Sequence, residues 1–188
     1  VFRCWKEKGH GTVDMYRAVV QSCDVYFYTL GLRLGPDRLA KLEKEAGLGT
    51  ITGIDLPGER KGLVPDSEWK RNVMKDRWYD YESVILGIGQ GAVHLTPLEM
   101  AVGYAAIATG GQVMRPRVAT KVVRMDGGVE ERPPRVERTV PWDAENVAFV
   151  RKALAGVVND YGTGGAAKLP GVTVAGKTGT AQVAAVKG

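Results

Sequence analysis

Apolar residues recur at helical spacing in several stretches of the chain and alternate at strand spacing only briefly. Residues 12–22 place Val13, Tyr16, Val19 and Val20 on one helical face, and a second apolar stretch, 25–34, follows directly. Two helices are predicted there, with Ser22-Cys23-Asp24 at their junction. Residues 36–46 read as a helix that opens on Pro36, turns Leu39 and Leu42 inward and stops at Gly47. Thr96-Pro97-Leu98-Glu99 is a capping box with proline at the first helical position, predicting a helix to Thr109 that Gly110-Gly111 ends. Residues 143–160 form a further helical pattern, with Val147, Val150, Leu154 and Val157 on one face. Residues 112–125 read as one strand broken near Pro116, and Gly127-Gly128 marks a hairpin turn before a charged segment to Arg138. Residues 47–82, dominated by Gly, Pro and charge, read as irregular. The loop at 162–165 leads to a β-branched run, Gly171-Val-Thr-Val-Ala175, read as a strand. Helices flanking a few antiparallel strands make an α+β domain.

Composition narrows the class without naming a function. At 44% hydrophobic and 25% charged, the 188 residues suit one folded domain. The net charge of +5 fits docking on an anionic surface and equally an ordinary basic surface. Acidic and basic residues are interspersed, and aromatic residues are not paired with Arg or Lys as in nucleic-acid binders, so no nucleic-acid partner is expected. No apolar run approaches the ~20 residues of a membrane span.

The chemistry concentrates at the end of the chain. Gly171 to Thr178 fits the phosphate-loop pattern G-x-x-x-x-G-K-[ST], while Lys177-Thr178-Gly179 fits the K-T-G signature of serine acyltransferases that bind penicillin. A phosphate loop needs a flexible turn and a helix opening at Lys-Thr. Here Val-Thr-Val-Ala favours a strand, and Gly179 weakens a helix start. The acyltransferase reading is therefore preferred. Ser22, taken alone, reads as an N-cap for the helix that follows it.

Together, Ser22-Cys-Asp24, Gly87-Ile-Gly-Gln-Gly91, Thr96-Pro-Leu-Glu99 and Lys177-Thr-Gly-Thr180 resemble the transpeptidase domain of class B penicillin-binding proteins. Asp24 and the Trp5…Gly9-His10-Gly11 segment make the chain most similar to the elongation-type branch, penicillin-binding protein 2. The resemblance implies an antiparallel β-sheet sandwiched by α-helices, incomplete at both ends, with residues 1–188 part of one transpeptidase domain. It also implies a nucleophilic serine in a Ser-x-x-Lys motif upstream of Ser22. The only serines are Ser22, Ser67 and Ser83. Ser67-Glu-Trp-Lys70 matches the pattern in the wrong order and in a turn-like setting, and is read as a decoy. The chain is thus expected to be a fragment that lacks the nucleophile and is not acylated by itself.

The resemblance further implies roles. Ser22 would relay a proton to the leaving amine, Asp24 would orient Ser22 and the bound peptide, and Lys177 would supply positive field. Thr178 and Thr180 would bind the substrate carboxylate, the Thr180 N–H would form half of an oxyanion hole, and Gly179 would let substrate approach the strand edge. The implied parent is anchored in the bacterial inner membrane with its catalytic domain in the periplasm. Its expected ligands are peptidoglycan stem peptides and β-lactams; its expected partners are a glycan-polymerising membrane enzyme and elongation-complex scaffold proteins. Rival readings are a division-type transpeptidase, a β-lactam-hydrolysing relative and a noncatalytic β-lactam sensor.

Cys4, His10 and Cys23 form a separate constellation. Two thiolates and an imidazole are zinc ligands, and a tetrahedral site needs a fourth from Asp14, water or an upstream residue. A disulfide between the cysteines, or two inert thiols, would account for the same residues. No cofactor is expected for the chemistry, and a structural zinc is the candidate metal. The glycines around Gln90 read as a cleft wall or as tight turns, and His94 as structural.

Overall fold

The computed structural model describes residues 2–180. Helix α1 (Met15–Val20) is shorter than the apolar pattern implied, because Asp14 caps it by accepting from the Arg17 N–H at 2.7 Å. Helix α2 (Asp24–Glu45) joins what read as two helices. They meet at Gly35, whose φ of 71° and ψ of 169° allow the kink before Pro36. Cys23, not Ser22, occupies the N-cap position of α2, with no side-chain cap bond. Leu42 does not face inward as the pattern predicted: it is 51% exposed on the rim of a groove.

Residues 47–82 are not irregular throughout. They contain helix α3 (Ser67–Val73) and lead into α4 (Asp80–Leu86), both short enough that their charged first turns masked them. Asp66 caps α3 through the Trp69 N–H. The Lys70 ammonium bonds Glu82 at 2.8 Å, tying α3 to α4. Helix α5 (Pro97–Thr109) has the predicted capping box between Thr96 and Glu99 and ends at Gly110, left-handed at φ 81°. Glu99 is wholly buried because its second oxygen accepts the Gly62 N–H at 2.8 Å, pinning the preceding loop. Helix α6 (Ala144–Asn159) starts behind its cap, Asp143.

Four strands make two antiparallel ladders among the described residues. Strand β1 (Gln112–Arg115) pairs with β4 (Arg135–Thr139), and β2 (Lys121–Val123) pairs with β3 (Val129–Glu131) across the predicted Gly127-Gly128 turn. The single broken strand expected over 112–125 is therefore two strands with different partners. Strand β4 lies in the charged segment, and its five exposed residues carry no apolar signal. Gly171 to Ala175 forms no ladder among the described residues; only an isolated bridge joins Leu169 and Val172. A strand requires a neighbour for its backbone bonds, and here Val174 and Gly176 are held by α6 instead.

Two close approaches position the site. On α2, a Cβ at Gly31 would lie 2.4 Å from the Ser83 carbonyl oxygen of α4. On α6, a Cβ at Gly156 would lie 2.4 Å from the Tyr16 hydroxyl of α1. Helix α1, and with it the Ser22 junction, is thereby set on α6. Val102, Ala106, Val113 and Val140 form a small core between α5 and the β1–β4 ladder, with Trp142 packed against it. Arg138 and Arg151 donate to the last carbonyls of α2 and α5 respectively, matching positive charge to helix C-termini.

Candidate active site

The site is assembled from two distant pieces of chain. Helix α1 ends at Val20, and just beyond it Ser22 is a non-glycine residue held at φ 53°. Trp5 stabilises this turn from outside: its indole N–H donates to the Ser22 carbonyl at 2.8 Å. Its backbone N–H donates to Asp24 Oδ2 at 2.9 Å. The carboxylate is thereby tied to the segment that braces the turn.

The second piece is the extended arm of residues 173–180. Leu154 on α6 accepts the Gly176 N–H, Asn159 donates its side-chain amide to the Val174 carbonyl, and Thr163 meets the Thr178 hydroxyl at 2.7 Å. So held, the arm brings Lys177 to the α1–α2 junction. Its ammonium donates to Ser22 Oγ at 2.8 Å and to the Thr178 carbonyl at 2.9 Å. Burial pushes the Lys177 pKa below the ordinary lysine value, and the nearby Asp24 carboxylate pulls it part of the way back. An ammonium that donates into the hydroxyl oxygen leaves the Ser22 O–H free to be given elsewhere, which is the arrangement of a proton relay. Gly179 and Thr180 are exposed, and a Cβ at Gly179 would meet nothing within 4 Å, so the arm's outer side is open. The model of the penicillin binding protein transpeptidase domain matches residues 1–188.

The chain belongs to that family.

Several of its relatives belong to one branch. The chain is 38% identical over 192 residues to the peptidoglycan D,D-transpeptidase MrdA of Acinetobacter baumannii, an alignment covering 98% of the chain and 27% of the relative. It superposes on Pseudomonas aeruginosa PBP2 in complex with WCK 5153 with a TM-score of 0.83 and 37% identity, over 97% of the chain and 41% of that structure. On Helicobacter pylori PBP2 in complex with MreC the TM-score is 0.82 at 34% identity, covering 96% and 32% respectively. The chain thus spans about a quarter of the length of the curated relative, and its α+β fold is that of penicillin-binding transpeptidases.

Against the family's motif pattern, Ser67 and Lys70 have other work. Ser67 Oγ donates to Asp37 at 2.9 Å, and Lys70 is committed to Glu82. Both belong to helix α3 rather than to a turn. The structure also adds contacts that the sequence did not assign. Gln90 donates its side-chain amide to the Thr180 carbonyl, linking the Gly87–Gly91 loop to the arm. Thr163 and Trp5 join as the supports described above. Of these, Gln90 carried a signal in its flanking glycines, of which Gly89 and Gly91 have φ of 73° and 91°, and Trp5 in the segment that it opens; Thr163 carried none. His94 bonds the Ala92 carbonyl and bridges to Leu63, a structural place.

Cys4, His10 and Cys23 meet behind the junction, their donor atoms all within 4.8 Å of one another. Cys4 Sγ lies 3.3 Å from His10 Nδ1, and both cysteines are free thiols rather than a disulfide. Burial raises the Cys23 thiol pKa. Asp14, the fourth ligand considered from sequence, caps α1 and lies outside the cluster.

Proposed function

We propose that the chain is a portion of a single transpeptidase domain in an elongation-type peptidoglycan D,D-transpeptidase. In this reading it supplies the relay and the carboxylate-binding wall of a serine acyl-transfer site. One observation carries this: Lys177 Nζ against Ser22 Oγ at 2.8 Å, joining the two matching motifs. The nucleophile belongs to a Ser-x-x-Lys segment outside these 188 residues. Its serine attacks the D-alanyl carbonyl of a stem peptide and gives its proton to the lysine of the same motif; as the C–N bond breaks, Ser22 passes a proton to the departing amine and is resupplied from that lysine, while Lys177 holds the hydroxyl oxygen. Asp24 acts on this pair through the turn and through its field on Lys177. Thr178 and Thr180 receive the substrate carboxylate, the Thr180 N–H contributes to the oxyanion hole, and the open edge at Gly179 admits the peptide. β-Lactams acylate the same serine. The whole protein works at the periplasmic face of the inner membrane with a glycan-polymerising enzyme and scaffold proteins of the elongation machinery; MreC in the H. pylori complex is the pattern for the latter.

Fluorescent-penicillin labelling of this chain, beside a form extended upstream through the Ser-x-x-Lys segment, tests the reading. Labelling is expected in the extended form alone and lost on substituting its upstream serine. Labelling of the short chain at Ser67, or a folded extended form that stays unlabelled, would overturn it.

Cys4, His10 and Cys23 hold a structural zinc in this proposal, with a fourth ligand from water or an upstream residue. Soft thiolates and an imidazole at this spacing suit that ion, and Cys23 at the N-cap of α2 would let it brace the Ser22 turn from behind. Elemental analysis of protein purified without chelator should find about one zinc per chain. Metal-free protein with two titratable thiols would remove this part of the proposal.

A further inference from the structure

Four arginines surround one hollow of about 250 Å³ on the face formed by β1, β4 and the Asp55 turn. Arg115 and Arg135 lie directly opposite each other in the β1–β4 register, a like-charge pair that weakens an antiparallel ladder. Arg117 and Arg132 flank them, beside Pro116 and Pro133, which stiffen the two bends. The single carboxylate in the lining, Asp55, is spent: it accepts the Val118 and Ala119 N–H groups at 2.7 and 3.0 Å. Those bonds lower its pKa, so it stays ionised as the brace of the hollow.

The remaining partners are few. Arg115 donates its Nε to the Gly53 carbonyl, which fixes the side chain while leaving the terminal nitrogens outside that bond. Arg132 and Arg135 lean on Glu130 and Glu137 at 3.7 and 3.5 Å, exposed pairs that hold little energy. Arg117 makes no hydrogen bond or ion pair among the described residues. Elsewhere the same residue type is used structurally, as with Arg138 and Arg151 on helix ends. Here, guanidinium groups from two strands converge without enough acid to neutralise them, at a like-charge cost to the ladder.

We propose that this hollow binds a phosphate oxyanion. Guanidinium forks match phosphate oxygens two at a time, and several arginines around one space favour a phosphate, whose oxygens point in more than one direction, over a lone planar carboxylate. The hollow is built from β1, the Pro133 bend and the Asp55 turn, away from Ser22 and Lys177, so it is a second site on the domain. Two sources present this chemistry, a soluble phosphate and a phospholipid headgroup.

The test is calorimetric titration of the full-length protein, at constant ionic strength, with inorganic pyrophosphate and separately with glycerophosphoglycerol, a headgroup freed of its lipid chains. Saturable binding is expected, weakened about tenfold by Arg117→Ala or Arg135→Ala. Arg71→Ala, on the exposed face of α3 outside the hollow, should leave affinity unchanged. Arg135→Ala should also leave the anion-free melting temperature equal or higher, since it relieves the Arg115 repulsion. Pyrophosphate binding alone would assign a soluble phosphate, and binding of glycerophosphoglycerol with the same arginine dependence would assign a headgroup. Absence of saturable binding to either probe, or equal losses in Arg71→Ala, would overturn the proposal.

Discussion

The Lys177 ammonium and the Ser22 hydroxyl are in hydrogen-bond contact at 2.8 Å although 155 positions separate them in the chain. If the pair relays the proton of acyl transfer, removing either end should slow acylation without unfolding the protein. Ser22→Ala and Lys177→Met in the full-length protein are each expected to lower the fluorescent-penicillin acylation rate by about 10²–10⁴-fold. Unchanged rates in both would show that the contact is structural.

Asp24 acts on Lys177 electrostatically, and its carboxylate is the influence that raises a pKa otherwise lowered by burial. Asp24→Asn keeps an acceptor for the Trp5 N–H but removes the charge. Lys177 should then lose its proton at lower pH, so the alkaline limb of the acylation rate should move to lower pH. An unmoved limb would assign that limb to another group.

Glu43 is half-buried beside the apolar groove between α2, α5 and α6, and loss of solvent raises its pKa from 4.5 to about 7. One of its oxygens finds no partner among the described residues. Between pH 4.5 and 7 the folded chain keeps a proton that the unfolded chain releases, so stability falls as pH rises through that window. The loss should reach roughly 2–3 kcal/mol and level off above pH 7. Glu43→Gln, which is neutral throughout, should abolish the slope in denaturant melts recorded from pH 5 to about pH 8.

Gly31 is where α2 and α4 touch backbone to backbone. Gly31→Ala places a methyl 2.4 Å from the Ser83 carbonyl oxygen, and neither backbone can yield cheaply. The expected cost is about 1–3 kcal/mol, read as a lower denaturation midpoint at unchanged slope. The same substitution at Gly165, where nothing lies within 4 Å, should cost less.

Legibility of the fold followed the range of the forces involved. The α5 capping box, its glycine stop and the face of α6 were readable because their signals lie within a turn or two of helix. Helices α3 and α4 escaped because seven-residue helices with charged first turns lack a sustained apolar period. Strand β4 escaped because all five of its residues are exposed, leaving no alternation to see. The run 171–175 misled in the other direction, since β-branched residues favour extended backbone whether or not a neighbouring strand is there to pair with it.

The sequence by itself determined which residue types are available to the candidate site, Ser22, Asp24, Lys177 and the Cys4–His10–Cys23 set, and the family to which their order points. Local spacing can encode that much because motifs and caps are short-range. Tertiary structure alone decided that Lys177 meets Ser22, that Asp24 binds Trp5, that Asp14 stays away from the cysteines and that four arginines face one hollow. Those outcomes depend on where α6 holds the terminal arm and how β1 registers against β4, and contacts across such separations form only when the whole chain packs.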